Sequence, residues 1–141
     1  MIQRIQSLWL IIVALTAFAT SRLVLFEGTL PNGTQLQMPL AESLILSIVI
    51  IALGLMALIC LFLFKNRKLQ FKLSVFGVIL SIGFLFLEYF MVEAFKDKHA
   101  ILTGSYELGA LLPVLMIVFF FLAARGIYKD ERLIKSMDRL R

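Results

Sequence analysis

One cysteine and one histidine in 141 residues remove most of the chemistry that a small protein could carry. Cys60 has no partner for an intrachain disulfide and cannot form a cysteine metal cluster. It lies within an apolar stretch and reads as a small buried hydrophobe. His99 stands alone, which excludes a haem held by paired helix histidines and leaves no base for a serine nucleophile on the pattern of a triad. The chain has no HExxH, GxSxG, GxGxxG or P-loop motif, and its carboxylates lack the DxDxDG spacing of a calcium loop. The sequence therefore predicts a protein that is not an enzyme and carries no cofactor and no metal. Charge is also scarce, at 16% of residues against about 25% in soluble domains.

Apolar sequence fills the space that charge leaves. The chain is 61% hydrophobic with a mean hydropathy of +0.97, and the apolar residues gather in four stretches, about 8–26, 40–64, 73–92 and 106–124. About 20 apolar residues in a helix cross a hydrocarbon core of about 30 Å. A span in lipid must satisfy its own backbone hydrogen bonds, and no alternating ten-residue segments suggest a barrel. The predicted fold is an all-α membrane protein, a single domain with a four-transmembrane-helix bundle. Arg4 with the apolar core and Ala17-Phe18-Ala19 resembles a secretory signal, but the first stretch is read as a retained span.

The net charge of +5 is segregated along the chain. Eleven of the 14 Lys and Arg residues lie at the N-terminus, in the link 65–72 and in the tail 125–141, and only Arg22, Lys96 and Lys98 lie on the other side. By the positive-inside rule both termini and the middle link are cytoplasmic. The expected location is a bacterial inner membrane, with residues 27–39 and 93–105 outside. Basic residues that flank apolar spans point to the lipid bilayer as the acidic partner, not to nucleic acid.

The loops and ends carry local signals. Leu30-Pro31-Asn32-Gly33-Thr34 between alternating segments predicts a short extracytoplasmic β-hairpin, and the second outer loop can lie across it. Pro39 fits the first turn of the second helix, and Ser105 fits the N-cap of the fourth. Gly77 and Ser81 have the small-xxx-small spacing of a close helix contact, and Pro113 predicts a kink in the fourth helix. Beyond Ala124, Ile127, Leu133, Ile134, Met137 and Leu140 form one stripe of a cytoplasmic amphipathic helix, which either continues the fourth span or turns at Gly126. The tail reads first as a solvated basic anchor that enforces topology, and the stripe is the candidate contact for a protein partner.

Ionisable residues inside a span are costly without a partner, and Arg22 and Glu88 lie farthest from a span end. Arg22 and Glu88 each lie about four residues before the outer end of a span, hence at a common depth of about 6 Å. They are expected to form an intramembrane ion pair that acts as structural glue. Glu27, Glu42, Glu93 and Glu107 lie at the same edge and could form a cation-attracting rim with Glu88.

The two ends, Met1-Ile2-Gln3-Arg4-Ile5-Gln6 and Lys129-Asp130-Glu131, Leu133, Lys135-Ser136, Asp138-Arg139-Leu140-Arg141, resemble an uncharacterised family of small four-helix inner-membrane proteins of Bacteroidota, classed as a domain of unknown function. The resemblance covers the whole chain and implies four spans, with no catalytic residues. The expected role is an accessory or scaffold subunit that contacts other integral membrane subunits. The alternative is a small homo-oligomeric proton or cation transporter or channel that uses Glu88.

Overall fold

A computed structural model describes residues 3–138. Four helices are present: α1 (Gln3–Thr20), α2 (Leu44–Phe62), α3 (Arg67–His99) and α4 (Leu108–Asp138). Three strands, β1 (Val24–Thr29), β2 (Gln35–Pro39) and β3 (Thr103–Tyr106), form one antiparallel sheet in the order β2-β1-β3. The protein is therefore mostly helical, with a small sheet at one end.

Three helices are long and apolar enough to cross a membrane, namely Leu44–Phe62, Arg67–His99 and the Leu108–Ile134 part of α4. The expected first span is shorter than the sequence suggested. Its helix stops at Thr20 instead of continuing to Phe26, and its 18 residues rise about 27 Å. The end is marked by side chains that turn back on the backbone: the Thr20 hydroxyl donates to the Thr16 carbonyl (2.7 Å) and the Ser21 hydroxyl to the Phe18 carbonyl (2.7 Å). Such bonds compete with continued helix. Beyond the turn, β1 is the central strand of the sheet, so it pairs with neighbours on both sides. That pairing satisfies the same backbone groups a longer helix would have used.

The other boundaries follow local capping. Ser43 accepts from the Leu46 N–H (3.4 Å) to start α2, and Asn66 accepts from the Leu69 N–H (3.4 Å) to start α3. Pro39 ends β2 and precedes a 3-10 turn at Leu40–Glu42, so it does not open α2. α3 continues into the segment expected as outer loop and ends at His99, capped by Ala100 in a left-handed conformation (φ +50°). Ser105 lies in β3, not at the cap of α4. α4 runs unbroken through Pro113 and Gly126 to Asp138, so the amphipathic tail continues the fourth helix.

The hairpin forms as expected. Gly33 takes φ +79° and its N–H donates to the Leu30 carbonyl (2.9 Å), closing the turn that glycine makes easy. The second outer segment supplies β3, which pairs Glu27 with Ser105 and Gly28 with Gly104.

Packing divides into two layers. The main core joins Leu10, Val13 and Ala17 of α1 to Leu46, Ile50 and Leu53 of α2, Phe84 of α3, and Met116 and Phe120 of α4. A second cluster of Phe26, Met38 and Val92 seats the sheet on the C-terminal part of α3. Only 33%, 28% and 39% of the three apolar windows are buried inside the bundle. The remaining apolar faces are outward, which is the expected distribution for helices solvated by lipid.

Candidate functional site

Glu88 belongs to the buried stripe of α3, with Ser74, Gly77, Ser81, Phe84 and Val92. The stripe repeats every three or four residues, which brings all of them to one helix face. The serines on it are satisfied locally, since the Ser74 hydroxyl donates to the Gln70 carbonyl (2.9 Å) and the Ser81 hydroxyl to the Gly77 carbonyl (2.7 Å). Glu88 is not. It is 3% exposed, and both carboxylate oxygens lack a hydrogen-bond partner among the described residues.

The expected partner is elsewhere. Arg22 lies in the exposed turn after α1, outside any helix, so the structure does not bring Arg22 and Glu88 together as an ion pair. The physical reason is the early end of α1: equal depth held only if both residues were helical. The outer acidic rim does not converge either. Glu42 is exposed, and Glu93 accepts from the Lys96 ammonium at 2.7 Å. Among the described residues no group of three or more His, Cys, Asp or Glu side chains is placed to hold a metal ion.

Lys96 makes a contact that the sequence did not reveal. Besides Glu93, its ammonium lies 5.0 Å from the Phe26 ring centroid and 5.3 Å from that of Tyr106, within the range of a cation–π contact. The side chain thus clamps the C-terminal end of α3 to β1 and β3. Burial pushes the Tyr106 hydroxyl above its ordinary range, with the Lys96 charge acting in the opposite direction.

A second polar cluster occupies the opposite end of the bundle. The Gln6 amide donates to the Asp130 carboxylate at 2.6 Å, joining α1 to α4, and Arg67 of α3 approaches the same oxygen at 4.0 Å. Nearby, the Gln70 amide donates to the Cys60 carbonyl (3.0 Å) at the end of α2. Gln6, Gln70 and Asp130 are 7%, 5% and 6% exposed, so this is a buried network and not a solvated edge. Gly126 permits it: a Cβ there would sit 2.9 Å from Cγ of Gln6.

The network changes the reading of the tail stripe. Ile127 is fully buried within this chain, whereas Leu133 and Ile134 remain 45% and 38% exposed. Leu140 and the side chain of Met137 lie outside the described residues. The chain therefore uses the first turn of the stripe itself and leaves a later one open.

Two comparisons, with curated proteins and with solved structures, find no match. A family model described as Domain of unknown function (DUF4293) matches residues 2–140. The chain belongs to that family.

Proposed function

We propose that this DUF4293 protein is a non-enzymatic, multi-pass accessory or scaffold subunit of a larger assembly in a bacterial inner membrane. All four helices cross the bilayer, α1 with its shorter apolar length completed by the turn at 21–23, and both termini are cytoplasmic. The sequence positions of eleven of the 14 basic residues, in the N-terminal segment, the 65–72 link and the tail, support that orientation. Membrane-impermeant maleimide should label Asn32→Cys from the outside and Ser136→Cys only after permeabilisation, each in a Cys60→Ser background. The reverse pattern would overturn the orientation.

The observation that carries the subunit reading is the unbroken course of α4 to Asp138. The stretch from Arg125 to Asp138 extends about 20 Å along the helix, and after the buried Asp130 it presents Leu133 and Ile134 outward. A rigid helix with an uncovered apolar turn suits contact with a neighbouring subunit. Extraction in a mild detergent followed by mass spectrometry should recover unrelated membrane proteins in stoichiometric amount, and Leu133→Glu should release them.

One observation favours the alternative, a homo-oligomeric proton or cation pathway. Glu88 is a buried carboxylate whose oxygens have no partner among the described residues, and such groups in membranes mark function by default. Recovery of the chain only as a homo-oligomer, with a cation or proton flux in liposomes that Glu88→Gln abolishes, would replace the subunit reading with this one.

A further inference from the structure

Where α3 and α4 run side by side near the basic end, they leave a groove with two parts of opposite character. The first is an apolar slot of about 400 Å³ lined by Phe71, Val75, Val78 and Ile79 of α3 and by Phe121 and Ala124 of α4. Its end toward the tail is formed by Arg125 and Tyr128. The same two residues begin a second hollow of about 410 Å³, which adds Lys129, Arg132, Leu133 and Ser136. Arg125, Lys129 and Arg132 recur every three or four residues and so share one face of α4. Three cations thus stand directly above an apolar slot.

Neither Asp130 nor Glu131 lines either hollow, and the Asp130 carboxylate is directed inward to Gln6. Tyr128 marks the junction. Its ring lies 5.8 Å from that of Phe71 across the two helices, and the Arg132 guanidinium carbon is 6.0 Å from it. A tyrosine between an apolar body and charged neighbours is the usual side chain at a hydrocarbon–headgroup boundary.

We propose that this groove is a binding site for an anionic phospholipid, with one acyl chain in the slot and the phosphate between Arg125, Lys129 and Arg132. The dimensions agree. From Phe71 to Ile79 the slot extends about 12 Å along α3, most of the roughly 15 Å depth of one hydrocarbon leaflet. The slot opens on the outer surface of the bundle, where Ile79 and Phe121 are 61% and 56% exposed, so lipid reaches it without any opening of the fold. A headgroup phosphate supplies the negative charge that a basic cluster at this depth attracts, and the guanidinium groups add paired hydrogen-bond donors for its oxygens.

The proposal rests on the membrane-spanning reading, and the two fail in different ways. If the chain does not span, alkaline carbonate will release it from membranes without detergent. The site itself is tested on the full chain by native mass spectrometry, after exchange into micelles that carry equal amounts of phosphatidylglycerol and phosphatidylcholine. Phosphatidylglycerol should be retained in preference. Arg125→Gln with Lys129→Gln should lower its retention by about tenfold or more, whereas Lys65→Gln with Lys68→Gln, an equal loss of charge at the same end, should stay within about twofold. Val75→Trp fills the slot without altering charge and should lower retention as well. Ile79→Phe serves the same purpose if Val75→Trp lowers the melting temperature. Equal retention of the two lipids, an equal effect of the two charge pairs, or undiminished retention in a folded slot-filled variant would each overturn the proposal.

Discussion

Gly77→Ala gives a direct measure of how closely α3 and α4 approach. A Cβ at position 77 would lie 2.7, 2.8 and 2.8 Å from the Cε1, Cδ1 and Cζ atoms of Phe120, where carbon atoms normally rest about 3.5–4.0 Å apart. The ring must therefore retreat by nearly 1 Å, and Phe120 is fully buried. Over-packing of this kind costs about 1–3 kcal/mol. The better helix propensity of alanine returns about 1 kcal/mol. The expected net loss is about 1 kcal/mol, measured by loss of helical circular dichroism as SDS is titrated into mixed micelles. Phe120→Leu removes the obstructing ring edge at its own cavity cost. In that background Gly77→Ala should become neutral or stabilising, a coupling of at least about 1 kcal/mol for residues in contact. If Gly77→Ala is neutral alone and the two changes simply add, the close packing of these helices is refuted.

Three other substitutions probe the two ends. Glu88→Met replaces an unpartnered buried carboxyl with an apolar chain of similar length and should raise stability by about 1–3 kcal/mol; a fall would reveal a partner for the carboxylate. Asp130→Ala leaves the Gln6 amide and Arg67 without their carboxylate and should cost about 1.5–3 kcal/mol. Trypsin should then cut faster after Lys129 and Arg132, and an unchanged cleavage rate would mean that Asp130 does not hold the helix. Lys96→Met keeps the alkyl stem but removes the Glu93 bond and the cation–π contacts. A cost of about 1 kcal/mol is expected, seen as faster hydrogen exchange of the β1–β3 amides, with no change if the clamp is inert.

The features legible in the sequence were those set by local chemistry. The Pro31-Asn32-Gly33 turn marks the hairpin because Gly33 needs positive φ, and of the four spans that the apolar runs predict, three are long and apolar enough to cross a membrane. The boundary of α1 was hidden for a physical reason: Leu23 to Phe26 continue the apolar run, and only pairing with β2 and β3 makes them extended. The early end of α1 also takes Arg22 out of the bundle. The Gln6–Asp130 bond joins residues 124 apart in sequence, so no spacing rule could find it. Gly126, which the sequence offered as a possible turn, instead gives α4 room to pass Gln6.

The contrast between the two polar ends bears most directly on function. At the basic end the fold brings a carboxylate within 2.6 Å of an amide donor and 4.0 Å of a guanidinium, so the bundle is able to satisfy a buried acid. At the other end Glu88 has no hydrogen-bond partner among the described residues, although Arg22, Lys96 and Lys98 are cations of that end. Arg22 is exposed, and Lys96 bonds Glu93. A leucine or methionine at position 88 would continue the apolar stripe of α3 at lower cost. The unpartnered acid is therefore a local departure from the rule that the rest of the bundle obeys, of the sort that marks functional positions. A variant that gains stability through Glu88→Met but loses partner recovery or ion flux would place the function at that carboxylate; one that gains stability and loses neither would reduce Glu88 to a packing defect.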